Sequence, residues 1–451
     1  MAERLATLLA REFEEVELGD QRLNERCETL AKEMGRAPDK SIPQACGNWA
    51  DTQAAYRFFS NENVTREALL KAHQTQTIQR CEKVSEIVAI QDTSFLNYTH
   101  HRTTTGLGPI GSEKGLQGLV VHTTLAVNID GDVLGVLDQD VWVRQGSKPV
   151  NESTDERRKR DRESRCWTRS LEKVRSSGLT APVIHVMDRE GDIYDVLASL
   201  IQRNEQFVIR AKSNRRLEKR DELLWEAVSK QPVIGKMDIS VPTRSGQRKR
   251  KARLSIRQDV LTICRPKYLG AGSNLSVGIV QAREEHPPKD CAAVSWTLLT
   301  SEPNQTREAC ERVLSIYKRR WIIEEFHMGL KTGCQVEQRQ LETRQRLEVF
   351  LGFASVISVM LLRLRNQSRQ DQPASTALSD VQLMALRSKI PKLPKTPTLR
   401  QALRAVAQMG GFLGRKGDGE PGWRTLWRGM YDLLLIEHGY FLAKNELLSR
   451  R

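Results

Sequence analysis

Over residues 1–65 the apolar positions recur every three to four residues, a period that predicts helices. The segment Leu18-Gly19-Asp20-Gln21-Arg22-Leu23 opens one helix, with Asp20 placed to cap its N-terminus. Residues 49–59 form another, aromatic on one side and polar on the other. The pattern then changes to strands. Residues 87–92 are a short β-type run that ends on an acid, Asp92. Residues 119–127 and 133–137 flank Asn128-Ile129-Asp130-Gly131-Asp132, and Asp-Gly between β-rich runs predicts a hairpin. Residues 145–168 are dense in charge and read as a loop followed by an exposed helix. Residues 183–188 are a buried strand, again ending on an acid, Asp188. A helix over 192–201 and a strand over 206–212 complete the order strand, hairpin, crossover, strand, helix, strand, which makes a mixed α/β sheet.

Between 213 and about 300 the strand signals crowd together, at 237–241, 252–258, 260–265, 276–283 and 295–300, as expected of an inserted β-rich subdomain. Its hairpin tip, residues 244–253, carries Arg244, Arg248, Lys249, Arg250, Lys251 and Arg253 and no acid. Such a tip is a phosphate contact or a solvated hairpin end. Residues 317–331 read as one helix. Tyr317, Arg320, Glu324 and Lys331 stand at i, i+3, i+7 and i+14 and share one face. Residues 348–364 are strongly apolar and read as the last core helix. Residues 366–400, rich in Gln, Ser, Pro and Lys, read as a linker with a short helix, and 401–448 as a final helical module suited to self-association or to core packing. The expected divisions are a helical domain over 1–65, an α/β domain over 66–365 with its insertion at about 213–300, and a helical domain over 366–451. The first reads equally as a basic DNA-contacting module or as a plain helical cap.

Composition narrows the function class. With 451 residues, 39% hydrophobic and 28% charged, the chain is long enough for two or three cored domains of a globular protein. It has no run of eighteen apolar residues and no signal-peptide core after Met1, so neither a membrane span nor secretion is expected. The eight cysteines form no Cys-x-x-Cys pair, which argues against a zinc site and for a reduced cytosolic compartment. Cys334 reads as a packed thiol. The net charge of +15 suggests a polyanionic partner, most plausibly nucleic acid.

The candidate chemistry rests on three acids. Asp92 and Asp188 end strands of one sheet, where open sheets place ligands, and Glu324 approaches from a helix across it. Three carboxylates without His or Cys make a hard-oxygen set for Mg²⁺ or Mn²⁺. Two such ions about 3.5–4 Å apart can activate an attacking oxygen and stabilise the leaving oxygen at a phosphodiester. An Asp at a strand end is usually a turn cap, and the trio gains weight from its order and from the basic helix face beside Glu324. Asp192 reads as a helix N-cap and Asp195 as exposed, and Glu190 and Glu325 rank below the three. Trp296 and Trp321 are candidates to stack an extruded base, worth roughly 1–3 kcal/mol each, against core packing as the competing reading.

These residues resemble the DDE transposases of the insertion-sequence-four family. The resemblance covers nearly the whole chain. It is carried by Ile90-Gln91-Asp92-Thr93-Ser94, by Met187-Asp188-Arg189-Glu190-Gly191-Asp192-Ile193, and by the Y-x2-R-x3-E-x6-K signature met by Tyr317, Arg320, Glu324 and Lys331. Residues 50–59, Gly410-Gly411-Phe412 and the stretch from Gly422-Trp423 to Trp427 also look like that family. The resemblance implies an RNase H-like core with a β insertion, flanked by helical domains. It implies a cytoplasmic bacterial enzyme, nucleoid-associated when bound, that binds terminal inverted repeats of double-stranded DNA as a synaptic homodimer and acts largely in trans. The implied reactions are nicking, hairpin formation, hairpin opening and strand transfer to target DNA. By match, Asp92, Asp188 and Glu324 would hold two Mg²⁺ or Mn²⁺ ions. Tyr317, Arg320, Lys331 and Arg210 would grip phosphate, Trp296 would stack the flipped base, and Trp321 would support the hairpin. Lys212, His327, Arg248, Lys249 and Arg250 are further expected DNA contacts. Where a relative in the family has lysine after the histidine of the signature helix, this chain has Met328. The rival expectations are a catalytically silent DNA-binding or inhibitory relative, and an RNase H-like nuclease without strand transfer.

Overall fold

The computed structural model describes all residues except 1, 112, 114, 145–162, 242–249, 290, 369–371, 416–417 and 450–451. The expected cationic contacts Arg248 and Lys249, and most of the charge-dense 145–168 stretch, therefore lie outside the described residues.

The N-terminal helices form as the apolar spacing predicts: Ala2–Glu12, Gln21–Arg36, Ile42–Cys46 and Trp49–Phe59. Asp20 caps the second through Arg22 N at 2.8 Å. These helices do not close a core by themselves. Phe13, Phe58 and Phe59 stack on Phe353 with ring centroids 5.1–6.2 Å apart, and Phe59 also meets Phe350. Both partners belong to the distant helix Arg344–Ser368. That helix is apolar on every side, which is how a helix surrounded by protein reads. It is long and apolar enough to cross a bilayer, but 89% of its most apolar window is buried within the protein. Helix Arg66–Cys81 packs between it and the sheet.

Among the described residues, one sheet of ten strands runs through the molecule. β1 (Ile87–Asn97), β2 (Gly108–Pro109), β3 (Gln117–Asn128), β4 (Val133–Trp142), β5 (Val183–Met187) and β6 (Gln206–Arg210) come first in sequence. β7 (Gly235–Val241), β8 (Arg250–Ile263), β9 (Leu275–Glu284) and β10 (Ser295–Thr300) follow. β1 pairs antiparallel with β3 and parallel with β5, and β5 pairs parallel with β6. The order β4-β3-β1-β5-β6, three antiparallel strands followed by two parallel ones, is RNase H-like. The insertion differs from a separate subdomain: β10 pairs with β6, and β9, β8 and β7 continue the same sheet beyond it. The strand signals at 252–258 and 260–265 belong to the single strand β8, whose register with β9 is unbroken from Leu254 to Ile263.

The hairpin at 128–132 forms as expected. Asp132 N donates to Asn128 Oδ1 at 2.7 Å, and Gly131 takes a φ of +94° that favours glycine. Its carbonyls hold two distant elements: Ile129 O accepts from Arg319 Nε at 3.0 Å, and Gly131 O from Asn366 Nδ2 at 3.0 Å.

Beyond the core helix the 366–400 stretch is more ordered than a linker. Helix Asp380–Lys389 carries a full capping box from Ser379 and Gln382, and helix Leu399–Met409 one from Thr398 and Gln401. Both pack on the final helix, Trp423–Ser449. That helix leaves Tyr431, Leu435, Tyr440, Phe441 and Leu442 exposed.

Candidate active site

Asp92 sits in the middle of β1 and not at its end. Thr93 and Ser94 interrupt the apolar run, but the strand continues opposite β3 as far as Asn97. What ends at Asp92 is the parallel pairing, because Gln91 opposite Met187 is its last pair with β5. Asp188 follows directly and caps a short 3-10 turn by accepting from Glu190 N at 2.7 Å. Both acids therefore emerge at one level of neighbouring strands.

The expected single helix over 317–331 is instead three pieces. Helix Arg307–Lys318 ends after Tyr317. Hydrogen bonds from Ile322 N to Arg319 O and from Ile323 N to Arg320 O then tighten the turn, and helix Trp321–Met328 follows. Residues Gly329–Gly333 widen into a π turn, with Cys334 N donating to Gly329 O at 2.8 Å. Despite these breaks, Glu324 and Lys331 line one cavity of about 470 Å³ together with Asp92, Asp188, Glu190, His327 and Met328.

Arg320 Nη1 lies 3.7 Å from Asp92 Oδ2 and 3.2 Å from Glu324 Oε1, so it bridges two of the three acids. Lys331 Nζ lies 3.9 Å from Glu337 Oε1 at the cavity edge. Burial, followed by the charge of Asp188, pushes the Asp92 carboxyl up to about 7; Arg320 opposes and Glu324 adds to the rise. Beneath Asp92, a buried polar layer ties Thr93 Oγ1 to His122 Nδ1 at 2.8 Å and Gln139 to Thr123 and Ser355.

His327, expected on the DNA-facing side, is only 7% exposed, and its Nε2 has no hydrogen-bond partner. One ligand atom from each of Asp92, Glu324 and His327 falls within a 4.8 Å cluster. Burial holds the ring neutral, driving its pKa down to about 3 with Lys331, His122 and Arg320 adding to the effect. The sequence signal that marks this residue is its i+3 spacing from Glu324, which puts both on one helix face.

Around the cavity the other expected contacts separate into distinct places. Tyr317 is 5% exposed and sits beside Arg210, and its ring meets Trp296 edge-on with centroids 5.8 Å apart. Arg210 donates to Ser295 O at 2.9 Å. Trp321 is 54% exposed, as is suited to a contact with an external ligand. Lys212 is exposed. Arg250 is engaged by the buried Glu284 carboxylate, so its charge is already matched in the protein. Glu325 is likewise paired, with Arg365. Asp192 is not the helix cap expected of it: its carboxylate accepts from Lys212 N at 2.7 Å and Ser213 N at 3.1 Å and pairs with Arg215, fixing the chain after β6. Cys334 is a packed thiol, raised to about 11 by burial.

The residues present suit a divalent cation. A carboxyl raised by burial and by its acidic neighbours, and an orphaned imidazole nitrogen, are both groups that a cation would satisfy. Asp92, Asp188 and Glu324 supply the oxygen donors.

Three family profiles match the chain in sequence order. Residues 6–64 match Transposase DNA-binding, residues 157–361 Transposase DDE domain, and residues 379–446 Transposase Tn5 dimerisation domain. Asp188 and Glu324 lie inside the second match, and Asp92 precedes it. A solved piggyBac transposase synaptic complex with hairpin DNA aligns with a TM-score of 0.33 and 10% identity, over 66% of this chain and 51% of that one. This chain thus spans about half of that relative's length, and a likeness so low carries no argument. The three profiles together, over a sheet that brings Asp92, Asp188 and Glu324 to one cavity, make this chain a member of the Tn5-like DDE transposase family.

Proposed function

We propose that this protein is a cut-and-paste DNA transposase with its catalytic centre at Asp92, Asp188 and Glu324. The observation that carries the reading is the meeting of these three acids and Lys331 in one open cavity, with Arg320 bridging Asp92 and Glu324. Two divalent ions, Mg²⁺ or Mn²⁺, would supply activation of the attacking oxygen and stabilisation of the leaving oxygen. The protein's own residues orient the DNA. Arg320, Lys331 and Arg210 offer cationic hydrogen-bond donors to phosphate, with Tyr317 held between Arg210 and Trp296. Trp296 would stack an extruded base, and the exposed Trp321 would support a distorted backbone.

In this reading, water attacks the phosphodiester at the transposon end and the 3′-oxygen leaves as a hydroxyl. That hydroxyl attacks the opposite strand to give a hairpin and release the flanking end. Water opens the hairpin, and the 3′-hydroxyl is then joined to target DNA. The N-terminal helices bind the terminal repeats. The exposed face of helix Trp423–Ser449 pairs two copies in the synaptic complex, where cleavage acts largely in trans.

The test incubates the purified protein with Mg²⁺ or with chelator on DNA carrying its element's end, alongside Glu324→Gln. Metal-dependent nicking followed by a hairpin is expected on a denaturing gel, with a loss of roughly 100-fold or more in the variant. DNA that is retarded but never cut would leave a DNA-binding relative. Cleavage without hairpin or strand transfer would leave a nuclease.

A further inference from the structure

Among the described residues, the site holds one group that the three-acid reading does not use. His327 is 93% buried on the wall of the acidic cavity, and its Nε2 has no partner. An unpaired buried nitrogen is destabilising. One of the His327 ring nitrogens lies in the same 4.8 Å cluster as oxygens of Asp92 and Glu324. Opposite ligands of a single Mg²⁺- or Mn²⁺-sized ion stand about 4.2 Å apart. The cluster is therefore near the span of one coordination sphere. Glu324 and His327 at i and i+3 share a helix face, and the rigid strand β1 presents Asp92 to it.

Resting on the transposase reading of this cavity, we propose that His327 is a direct nitrogen donor to the ion held between Asp92 and Glu324. One of the two ion positions is then a mixed nitrogen–oxygen site, and the other, toward Asp188, is all-oxygen. Imidazole is a donor suited to transition metals, whereas Mg²⁺ prefers oxygen. The mixed position thus selects Mn²⁺ or Co²⁺ over Mg²⁺.

Pulsed electron paramagnetic resonance on the untagged full-length protein with Mn²⁺ tests this without reference to cleavage. The expected result is a directly bonded ¹⁴N coupling that changes to the ¹⁵N pattern on histidine labelling and disappears in His327→Gln. Mn²⁺ affinity should fall on the order of 10-fold in that variant, with Mg²⁺ affinity unchanged. Bound Mn²⁺ with no nitrogen coupling in the wild-type protein would overturn the proposal and leave the three-acid site intact. Absence of any Mn²⁺ binding, with or without end DNA, would overturn both. The wild-type spectrum decides even if the variant fails to fold.

Discussion

Glu12 and Asp92 are two buried carboxylates with opposite fates. Burial would raise both. At Glu12 it is outweighed by His73, whose Nδ1 lies 2.5 Å away, and by Arg80 at 2.6 Å, so that the carboxyl falls to about 2. At Asp92 the near neighbours are Asp188 and Glu324, and Arg320 alone does not offset them. The first acid is satisfied by the protein and is structural. The second is left for a cation from outside. Removing Glu12 strands Arg80 and His73, and Glu12→Gln is expected to destabilise the protein by about 3 kcal/mol in denaturant titrations. Because the folded carboxyl titrates below its unfolded value, its contribution is complete above about pH 4.5 and lost as pH falls toward 2. The loss of stability between pH 5 and pH 3 should therefore be smaller in the variant than in the wild-type protein. At this scale the sequence was legible where residue type and spacing coincide, as for Glu324 and Arg320. It misled at Thr93 and Ser94, whose polarity reads as a strand end because their partners, such as His122, lie 29 residues away. It gave no sign of the Asp192 clamp, since backbone N–H donors leave no pattern in side-chain order.

At the scale of elements, the turn at 128–132 is both a hairpin and a bracket. Ile129 O and Gly131 O hold Arg319, at the break before the signature helix, and Asn366, on the core helix. A Cβ on Gly131 would also approach Ile322 Cδ1 and Arg319 Nη1 at 3.2 Å. Gly131→Ala thus imposes left-handed strain and a crowded contact where the helix is aimed. It should cost about 1–2 kcal/mol, read as a lower melting temperature. Cleavage should fall more than retention of end DNA in gel shift, because the turn positions Glu324 and not the N-terminal helices. The hairpin itself was readable from Asp130-Gly131 between β-rich runs. The helix break and the π turn were not, because both keep helical side-chain spacing closely enough to pass as one period. The insertion was readable as strands, but pairing order is not local information, and its merger with the main sheet through β10 and β6 appears only in three dimensions.

At the scale of the whole molecule, the final helix carries exposed apolar side chains. Of these, Tyr431, Leu435 and Leu442 share one side of helix Trp423–Ser449, exposed apart from Lys40 over the Tyr431 ring. Leu435→Glu is expected to shift the protein and its DNA complex toward monomer in sedimentation. Far-ultraviolet circular dichroism should be unchanged, since Leu435 is 54% exposed. Single-end binding should persist and paired-end complexes should be lost. A Leu435→Glu protein that still pairs ends would place the pairing surface elsewhere.

The aromatic cluster of the N-terminal helices has a consequence for biosynthesis. Phe13, Phe58 and Phe59 complete their packing on Phe350 and Phe353. At about 5–20 residues per second, the ribosome needs roughly 15–60 s to travel from Phe59 to Phe350. Throughout that interval the nascent chain carries its N-terminal helices with an open apolar face. A chain cut short before residue 344 never closes it, so a truncated product would be handed to chaperones or proteases and would not persist as a free competitor for the transposon end.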